Sequence, residues 1–231
     1  FQTNTLSNIK FHDQLRKCEF LRKYVHVSTP EVYGSCEGLV VENRIYSPST
    51  PYAVSRAATD MSLISFYKAY QFPVAFTRAA NVYGACQQLY RIIPRTIIGV
   101  LTGKKLQLHG GGFSVRAFIH IRDVAAGTLD VARKGGVGEI YHFSTRNNVS
   151  IHKIVELILN QMGVVFEEHV DVVGERLGKD TAYLLSSEKS LNSFGWEDKI
   201  SLEQGITETI SWVRDNLDIL RQQPLEYIHK T

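Results

Sequence analysis

Cysteine is scarce in this chain: Cys18, Cys36 and Cys86 are the only three in 231 residues, and no two of them form a C-x-x-C pair. An odd number without that spacing argues against both a disulfide framework and a zinc site. The histidines show no H-x-x-x-H or H-E-x-x-H pattern, which also argues against a bound metal. The few thiols favour a reducing, cytoplasmic setting.

The sequence also lacks a charge excess and a long apolar run. Its 26 basic and 23 acidic residues give a net charge of only +3, too small to indicate nucleic acid or an anionic membrane as a partner. No apolar stretch approaches the roughly 20 residues that span a bilayer, and the first residues, FQTNTLSNIK, contain neither an initiator Met nor an apolar signal core. We therefore expect a soluble protein whose sequence is cut at its start.

The hydrophobic fraction of 44% supports a globular core, and helical and strand-like segments alternate along the chain. Apolar spacing and β-branched runs predict helices at 5–20, 52–70, 89–101, 123–133, 150–162, 187–194 and 201–216, and strands at 24–29, 74–81, 106–109, 117–121 and 139–144. This order predicts a parallel α/β sheet, in which ligands gather at the carboxyl ends of the strands.

Polar residues stand where the first predicted strand ends. Ser28, Thr29 and Glu31 follow that strand, and Tyr52 and Arg56 share one face of the next helix. A neighbouring cation lowers the pKa of a phenol, so these residues could form an acid–base constellation. Spacing alone leaves the alternatives open: a surface Tyr–Arg pair, hydroxyls that only bond loop backbone, and a solvated carboxylate.

Five motifs follow one another along nearly the whole chain: STPEVYG (28–34), SPSTPYAVSR (47–56), RAANVYG (78–84), IIP (92–94) and RAFIHIRDV (116–124). In this order they resemble extended short-chain dehydrogenases/reductases of the NAD-dependent epimerase/dehydratase family, which act on nucleotide sugars. The sequence is most similar to dTDP-glucose 4,6-dehydratases, with GDP-mannose 4,6-dehydratases and UDP-glucuronate decarboxylases as near relatives. The resemblance implies a Rossmann-type parallel sheet, NAD as cofactor, a nucleotide-diphosphate sugar as substrate and a homodimer.

The resemblance also implies roles for individual residues. Tyr52, Arg56, Thr29 and Glu31 would be catalytic, and Ser28 and Ala79 would join Tyr52 and Arg56 at the cofactor. The residues implied to face the nucleotide sugar are Asn81, Arg91, Leu106, His109, Arg116 and Arg176. Leu106 fits equally well as a plain core residue, and His109 as a loop residue.

Three features depart from the family pattern. Arg56 stands where the family has Lys; it keeps the positive charge but not the compact ammonium. Thr29-Pro30-Glu31 replaces Thr-Asp-Glu, so the acid of the dTDP-glucose enzymes is absent, as it is in the GDP-mannose and UDP-glucuronate relatives. The sequence lacks the G-x-x-G-x-x-G turn that binds a dinucleotide pyrophosphate. The glycines at 110–112 do not replace it, since they come late in the chain and do not open a helix after a strand. We therefore expect the N-terminal glycine-rich unit to lie upstream of Phe1.

We predict two domains: an incomplete NAD-binding Rossmann-like domain of residues 1–86 and 122–145, and a smaller nucleotide-sugar-binding lobe of residues 87–121 and 146–231. The predicted function is an NAD-dependent nucleotide-sugar 4,6-dehydratase, a lyase. The alternatives are a nucleotide-sugar 4-epimerase or a UDP-glucuronate decarboxylase-like enzyme on the same scaffold, and a catalytically idle nucleotide-sugar binding protein. Apolar residues on more than one face of helix 52–70 also favour the dimer.

Overall fold

The computed structural model describes residues 1–36, 38–174 and 184–226. The helices of these residues are α1 (Asn8–Leu15), α2 (Pro51–Tyr70), α3 (Ile92–Thr102), α4 (Ile121–Lys134), α5 (Ile151–Met162), α6 (Phe166–His169), α7 (Glu188–Phe194), α8 (Leu202–Asp215) and α9 (Leu217–Leu220). The strands are β1 (Tyr24–Val27), β2 (Leu39–Val40), β3 (Val74–Ala79), β4 (Asn81–Tyr83), β5 (Leu106–His109), β6 (Val115–His120), β7 (Ile140–Phe143), β8 (Asn148–Ser150), β9 (Val170–Val173) and β10 (Leu184–Leu185). A π-helical segment, Gln2–Ser7, precedes α1, and 3-10 turns cover Pro30–Tyr33 and Gly110–Gly112.

The predicted α/β alternation is confirmed, with two corrections to element bounds. The helix predicted over 5–20 ends earlier, because α1 stops at Leu15 and the chain turns so that Leu21 packs against the core before β1 begins. The strand predicted over 74–81 is two strands, because β3 pairs with β1 and β7 whereas β4 pairs with β6 in another sheet.

The described residues form two compact units. The first unit contains Phe1–Ala80, Arg122–Thr145 and the described residues from 184 up to Asp198; the second unit contains Asn81–Ile121, the described residues from Arg146 to 174, and those from Lys199 onward. The predicted domain division after residue 86 differs from this one, because β4 pairs with β6 inside the second unit. Helix α7 packs against β7 and so belongs to the first unit, not to the lobe predicted to follow residue 146.

The first unit is built on a parallel sheet with the strand order β1-β3-β7. Helix α2 connects β1 to β3, and its start is fixed by the Thr50 side chain, which accepts a hydrogen bond from the Ala53 N–H at 3.1 Å. The core under the sheet consists of Leu63, Phe72, Val74, Phe76 and Ile140. Since the strands run parallel, the carboxyl ends of β1, β3 and β7 lie at one edge of this sheet.

The second unit contains the sheet β4-β6-β8, with β4 parallel and β8 antiparallel to β6, and the parallel pair β5-β9. Helices α3, α5 and α8 pack together through isoleucine side chains such as Ile97, Ile158 and Ile206. Helix α8 approaches Tyr83 so closely that a Cβ added at Gly205 would lie 2.2 Å from the tyrosine Oη. A glycine is therefore required at this contact.

Across the part of the chain that the structure describes, no helix is both long and apolar enough to cross a membrane. The same residues include no cluster of His, Cys, Asp and Glu side chains that could hold a metal ion. Cys18, Cys36 and Cys86 are free thiols.

Two buried histidines make the stability of the first unit depend on pH. Burial, with smaller contributions from the neighbouring His26 and Arg56 side chains, lowers the pKa of His12 to about 4. Burial and the charge of Arg78 lower the pKa of His142 to about 3. In the unfolded chain a histidine has a pKa of about 6.5, so below that pH the unfolded state binds protons that the folded state does not.

We therefore expect the free energy of unfolding to be at its full value above about pH 6.5 and to fall as the pH is lowered toward about 4. Denaturant titrations at about pH 7 and about pH 5 measure this difference. Since leucine does not titrate, the His142→Leu variant should lose less stability between the two pH values than the wild type. An equal loss in both proteins would contradict the assignment to His142.

Candidate active site

A sharp turn follows the carboxyl end of β1. Thr29 caps the Pro30–Tyr33 turn, its Oγ1 accepting a hydrogen bond from the Glu31 N–H at 3.3 Å. Pro30 occupies the first position of the turn, where a missing N–H costs little. Gly34 ends the turn at φ +71°, and a Cβ there would lie 1.9 Å from the Ser47 carbonyl oxygen. The turn therefore holds the partly exposed Glu31 at the end of β1.

Helix α2 presents the two other predicted catalytic residues beside this turn. The Pro30–Tyr33 turn packs against α2, in whose first turn Tyr52 lies with 48% of its surface exposed. One helical turn later, Arg56 Nη2 donates to the Val27 carbonyl oxygen and lies 3.3 Å from His26 Nε2. The segments that carry Thr29, Glu31, Tyr52 and Arg56 are thus neighbours at one end of β1. The influence of Arg56 on the pKa of Tyr52 stays a prediction.

A buried polar network lies beneath the turn, and sequence reasoning missed it. Asp60 accepts hydrogen bonds at Oδ2 from Ser28 Oγ at 2.7 Å and from Arg78 Nη2 at 2.9 Å, and its Oδ1 lies 3.2 Å from His26 Nε2. Asp60 and Arg78 are both fully buried. Burial alone raises the pKa of the Asp60 carboxyl, but the contacts with His26 and Arg78 outweigh it and hold this pKa below its usual range. Asp60 is therefore a carboxylate.

Arg78 links this network to neighbouring segments. Its guanidinium lies 4.4 Å from the centroid of the Tyr33 ring and donates to the Asn43 carbonyl oxygen at 3.1 Å. The Tyr33 hydroxyl is 2.7 Å from His142 Nε2. Burial raises the pKa of Tyr33, and raises that of Tyr46 to about 12, so neither phenol is suited to act as a base near neutral pH.

The predicted cofactor residues Ser28 and Ala79 both lie at the carboxyl edge of the first unit. The Ser28 N–H donates to the Thr77 carbonyl oxygen at 2.8 Å, and its hydroxyl is bonded to Asp60. Ala79 ends β3, opposite Phe143, and is partly exposed. The structure therefore places Ser28, Ala79, Tyr52 and Arg56 in the same unit.

Two predicted sugar-lobe residues lie on neighbouring strands of the second unit. Asn81 begins β4 and pairs with Phe118 of β6, and Arg116 lies two residues before Phe118. Arg116 Nη1 donates to the Val115 carbonyl oxygen at 2.9 Å. Both side chains are partly exposed.

The other predicted sugar-lobe residues are dispersed over the second unit. Arg91 precedes α3, and its guanidinium lies 5.5 Å from the centroid of the Tyr90 ring. The Leu106 side chain is buried in the core, the plain role that the sequence left open, whereas His109 is exposed with Nδ1 3.2 Å from the Gly174 carbonyl oxygen. Arg176 lies outside the described residues.

The chain matches the family described as GDP-mannose 4,6 dehydratase over residues 1–209. It is 35% identical over 202 residues to dTDP-D-glucose 4,6-dehydratase of Homo sapiens, which aligns with 85% of this chain and 57% of the human protein. It is 34% identical over 194 residues to dTDP-glucose 4,6-dehydratase of Streptomyces antibioticus, with 84% of this chain and 58% of that protein covered. The chain thus spans less than two thirds of the length of these curated relatives.

Solved structures give the same result. The crystal structure of dTDP-glucose 4,6-dehydratase from Bacillus anthracis in complex with NAD has a TM-score of 0.87 and 36% identity, covering 94% of this chain and 69% of that chain. UDP-glucose 4-epimerase from Thermotoga maritima has a TM-score of 0.86 and 25% identity, covering 94% and 71%. The Rossmann-type fold and the family resemblance predicted from the sequence are therefore confirmed, and this chain belongs to the GDP-mannose 4,6 dehydratase family.

Proposed function

We propose that the protein is an NAD-dependent nucleotide-sugar 4,6-dehydratase. The observation that carries this proposal is the position of Glu31 on a capped turn at the carboxyl end of β1, packed against the helix that presents Tyr52 and Arg56. A dehydratase needs a base for a carbon-bound proton in addition to the base that serves the hydroxyl. The relatives named as 4,6-dehydratases support the same reading.

The residues at this sheet edge fit the nicotinamide-ribose end of NAD. Tyr52 offers an exposed phenol, and within the described residues the buried Nε of Arg56 has no hydrogen-bond partner. Ser28 and Ala79 would line the same end, and a small residue at 79 leaves room for a ring. When bound, NAD supplies a hydride acceptor for C4 of the sugar and a hydride donor for C6.

The chain's own residues would move the protons. Tyr52, kept ionised by the charge of Arg56, takes the proton from the O4 hydroxyl. Thr29 Oγ1 accepts a hydrogen bond from the Glu31 N–H, which leaves its own proton to donate to O4. Once C4 is a ketone the C5 proton is acidic, and Glu31 removes it. Pro30 has no proton to give, so we assign Glu31 also to protonate the C6 hydroxyl as it leaves as water. When C6 is then reduced, C5 takes a proton from solvent, and Tyr52 returns the O4 proton to solvent.

Glu31 is also the residue that separates this function from two of its alternatives, the 4-epimerase and the idle binding protein. A simple 4-epimerase removes no proton from C5 and has no use for a second base. An idle binding protein has no use for either base. We therefore rank the dehydratase above both.

The product test uses the full-length protein, NAD and a panel of dTDP-glucose, GDP-mannose and UDP-glucose. Mass spectrometry of the nucleotide sugars should show the loss of one water from one of them, which gives a 4-keto-6-deoxy sugar. An isomer of unchanged mass would indicate an epimerase, loss of carbon dioxide from added UDP-glucuronate would indicate a decarboxylase, and binding without conversion would indicate an idle protein.

We also propose a homodimer. Helix α2 exposes apolar side chains, with Met61 56% and Tyr70 57% exposed, which a partner subunit would cover. Light scattering that shows a monomer at all working concentrations of the full-length protein would contradict this.

Arg56 offers a further test of the proposed mechanism. We expect Arg56→Lys to keep or raise turnover, because lysine occupies this position in the family motif. Arg56→Ala should move the acidic limb of the kcat profile, along which turnover rises as Tyr52 ionises, to higher pH, because Tyr52 loses the positive charge that favours its ionised form. The control is Arg16→Ala, which removes an exposed arginine after α1. An alanine variant at 56 with an unshifted profile would contradict the role of the cation.

A further inference from the structure

His26 Nε2 faces two groups that make conflicting demands on it. It lies 3.3 Å from Arg56 Nη2 and 3.2 Å from Asp60 Oδ1. A nitrogen of a neutral imidazole either donates or accepts a hydrogen bond. If it accepts from Arg56, it gives no proton to Asp60; if it donates to Asp60, Arg56 loses an acceptor. The state of His26 is therefore coupled to the position of the Arg56 guanidinium.

The groups around His26 leave it little freedom. Asp60 is held at its other oxygen by Ser28 and Arg78. The His26 ring is 3% exposed and packs edge-on against Phe76 on β3 and His12 on α1, each at a centroid distance of 6.0 Å. Arg56, by contrast, has only two hydrogen-bonding contacts within the described residues, the Val27 carbonyl oxygen and His26.

We propose that His26 is a positioning residue for Arg56, with His26 Nε2 accepting a hydrogen bond from the guanidinium, while Asp60 Oδ1 has no hydrogen-bond partner within the described residues. The buried His26 thereby fixes the position of the Arg56 guanidinium, the cation that the proposed function places beside Tyr52. The role of His26 in catalysis depends on the proposed function. The contact between His26 and Arg56 depends only on the observed distance between them.

Three substitutions separate positioning from stability. In His26→Gln, the amide oxygen can accept from Arg56 while the amide N–H donates to Asp60, so both demands are met at once. In His26→Leu, neither is met. His12→Leu is the matched control, because His12 is equally buried beside His26 but its Nε2 lies 3.1 Å from the Tyr24 hydroxyl.

The first measurement is a double-mutant cycle on kcat with the full-length protein, NAD and the nucleotide sugar that the product test shows to be converted. We expect His26→Leu to lower kcat at least about tenfold in the wild type but to have no further effect in the Arg56→Ala background, because contacting residues couple. His26→Gln should stay within about threefold of the wild type, and the His12→Leu factor should differ between the two backgrounds far less than the His26→Leu factor. A His26→Leu factor that is equal in both backgrounds would overturn the proposal.

The second measurement does not depend on turnover. In protein labelled with ¹⁵N-arginine, the NMR signals of the Arg56 guanidinium are identified by their absence from the spectrum of Arg56→Lys. We expect the guanidinium hydrogens of Arg56 to exchange slowly with solvent in the wild type, His26→Gln and His12→Leu. In His26→Leu we expect them to exchange fast. An Arg56 guanidinium that exchanges in the wild type as fast as exposed arginines would overturn the proposal, whether or not His26→Leu folds. Absence of wild-type turnover would instead contradict the proposed function and leave this exchange measurement to decide.

Discussion

Glu31→Gln is expected to lower turnover about 10²- to 10⁴-fold, the usual cost of removing a general base. The substitution keeps the size and polarity of the side chain and removes its ability to take the C5 proton. Oxidation at C4 does not need Glu31, so only elimination should stop. The absorbance of reduced nicotinamide should then build up on the full-length protein, and a reaction in heavy water should show little exchange at C5.

The matched control for this variant is Glu197→Gln, which changes an exposed carboxylate of the same unit. Surface changes of this kind usually alter stability by less than about 0.5 kcal/mol and should leave turnover unchanged. If Glu31→Gln were as active as Glu197→Gln, Glu31 would be a solvated loop carboxylate. The dehydratase mechanism would then be wrong.

Arg78→Met is expected to lower the free energy of unfolding by about 3–5 kcal/mol, because it leaves the fully buried Asp60 carboxylate without its cation. The substitution also removes the guanidinium from beside the Tyr33 ring and from the Asn43 carbonyl oxygen. Denaturant unfolding at neutral pH measures the loss.

Two variants test the origin of that loss. Lys189→Met breaks the partly exposed pair with Glu139 and should cost far less. Arg78→Met combined with Asp60→Leu removes both buried charges and should be more stable than Arg78→Met alone, because no uncompensated carboxylate remains. If Arg78→Met unfolded at the same denaturant concentration as the wild type, the Arg78–Asp60 ion pair would not stabilise the protein.

The sequence could predict those parts of the fold that local periodicity encodes. Helix α2 has a Thr-Pro start and continues to Tyr70, so its prediction over 52–70 is off by one residue. The alternation in Leu106–His109 predicts β5, but the same alternation suits a binding strand and a core strand equally. Only the packing of Leu106 against the neighbouring core residues shows where its side chain lies.

The position of the candidate residues at the sheet edge was likewise predictable, whereas the network beneath them was not. Parallel strands bring residues after β1 and β3 to one edge, so Thr29 and Glu31 could be placed from their order in the chain. Asp60 meets Ser28 and Arg78 across separations of 32 and 18 residues, which no local pattern encodes. The signal available was a single arginine within the apolar run VAFTRAA, a residue type that is almost never fully buried unless it is paired.

The most direct test of the dehydratase assignment is the fate of the hydrogen at C4 of the sugar. The full-length protein should be incubated with NAD and the nucleotide sugar that the product test shows to be converted, carrying deuterium at C4, and the product analysed by NMR and mass spectrometry. We predict a 4-keto-6-deoxy product with the deuterium in its C6 methyl group, because the hydride removed from C4 returns at C6. Deuterium that stays at C4, in unchanged substrate or in a 4-epimer, would contradict the assignment.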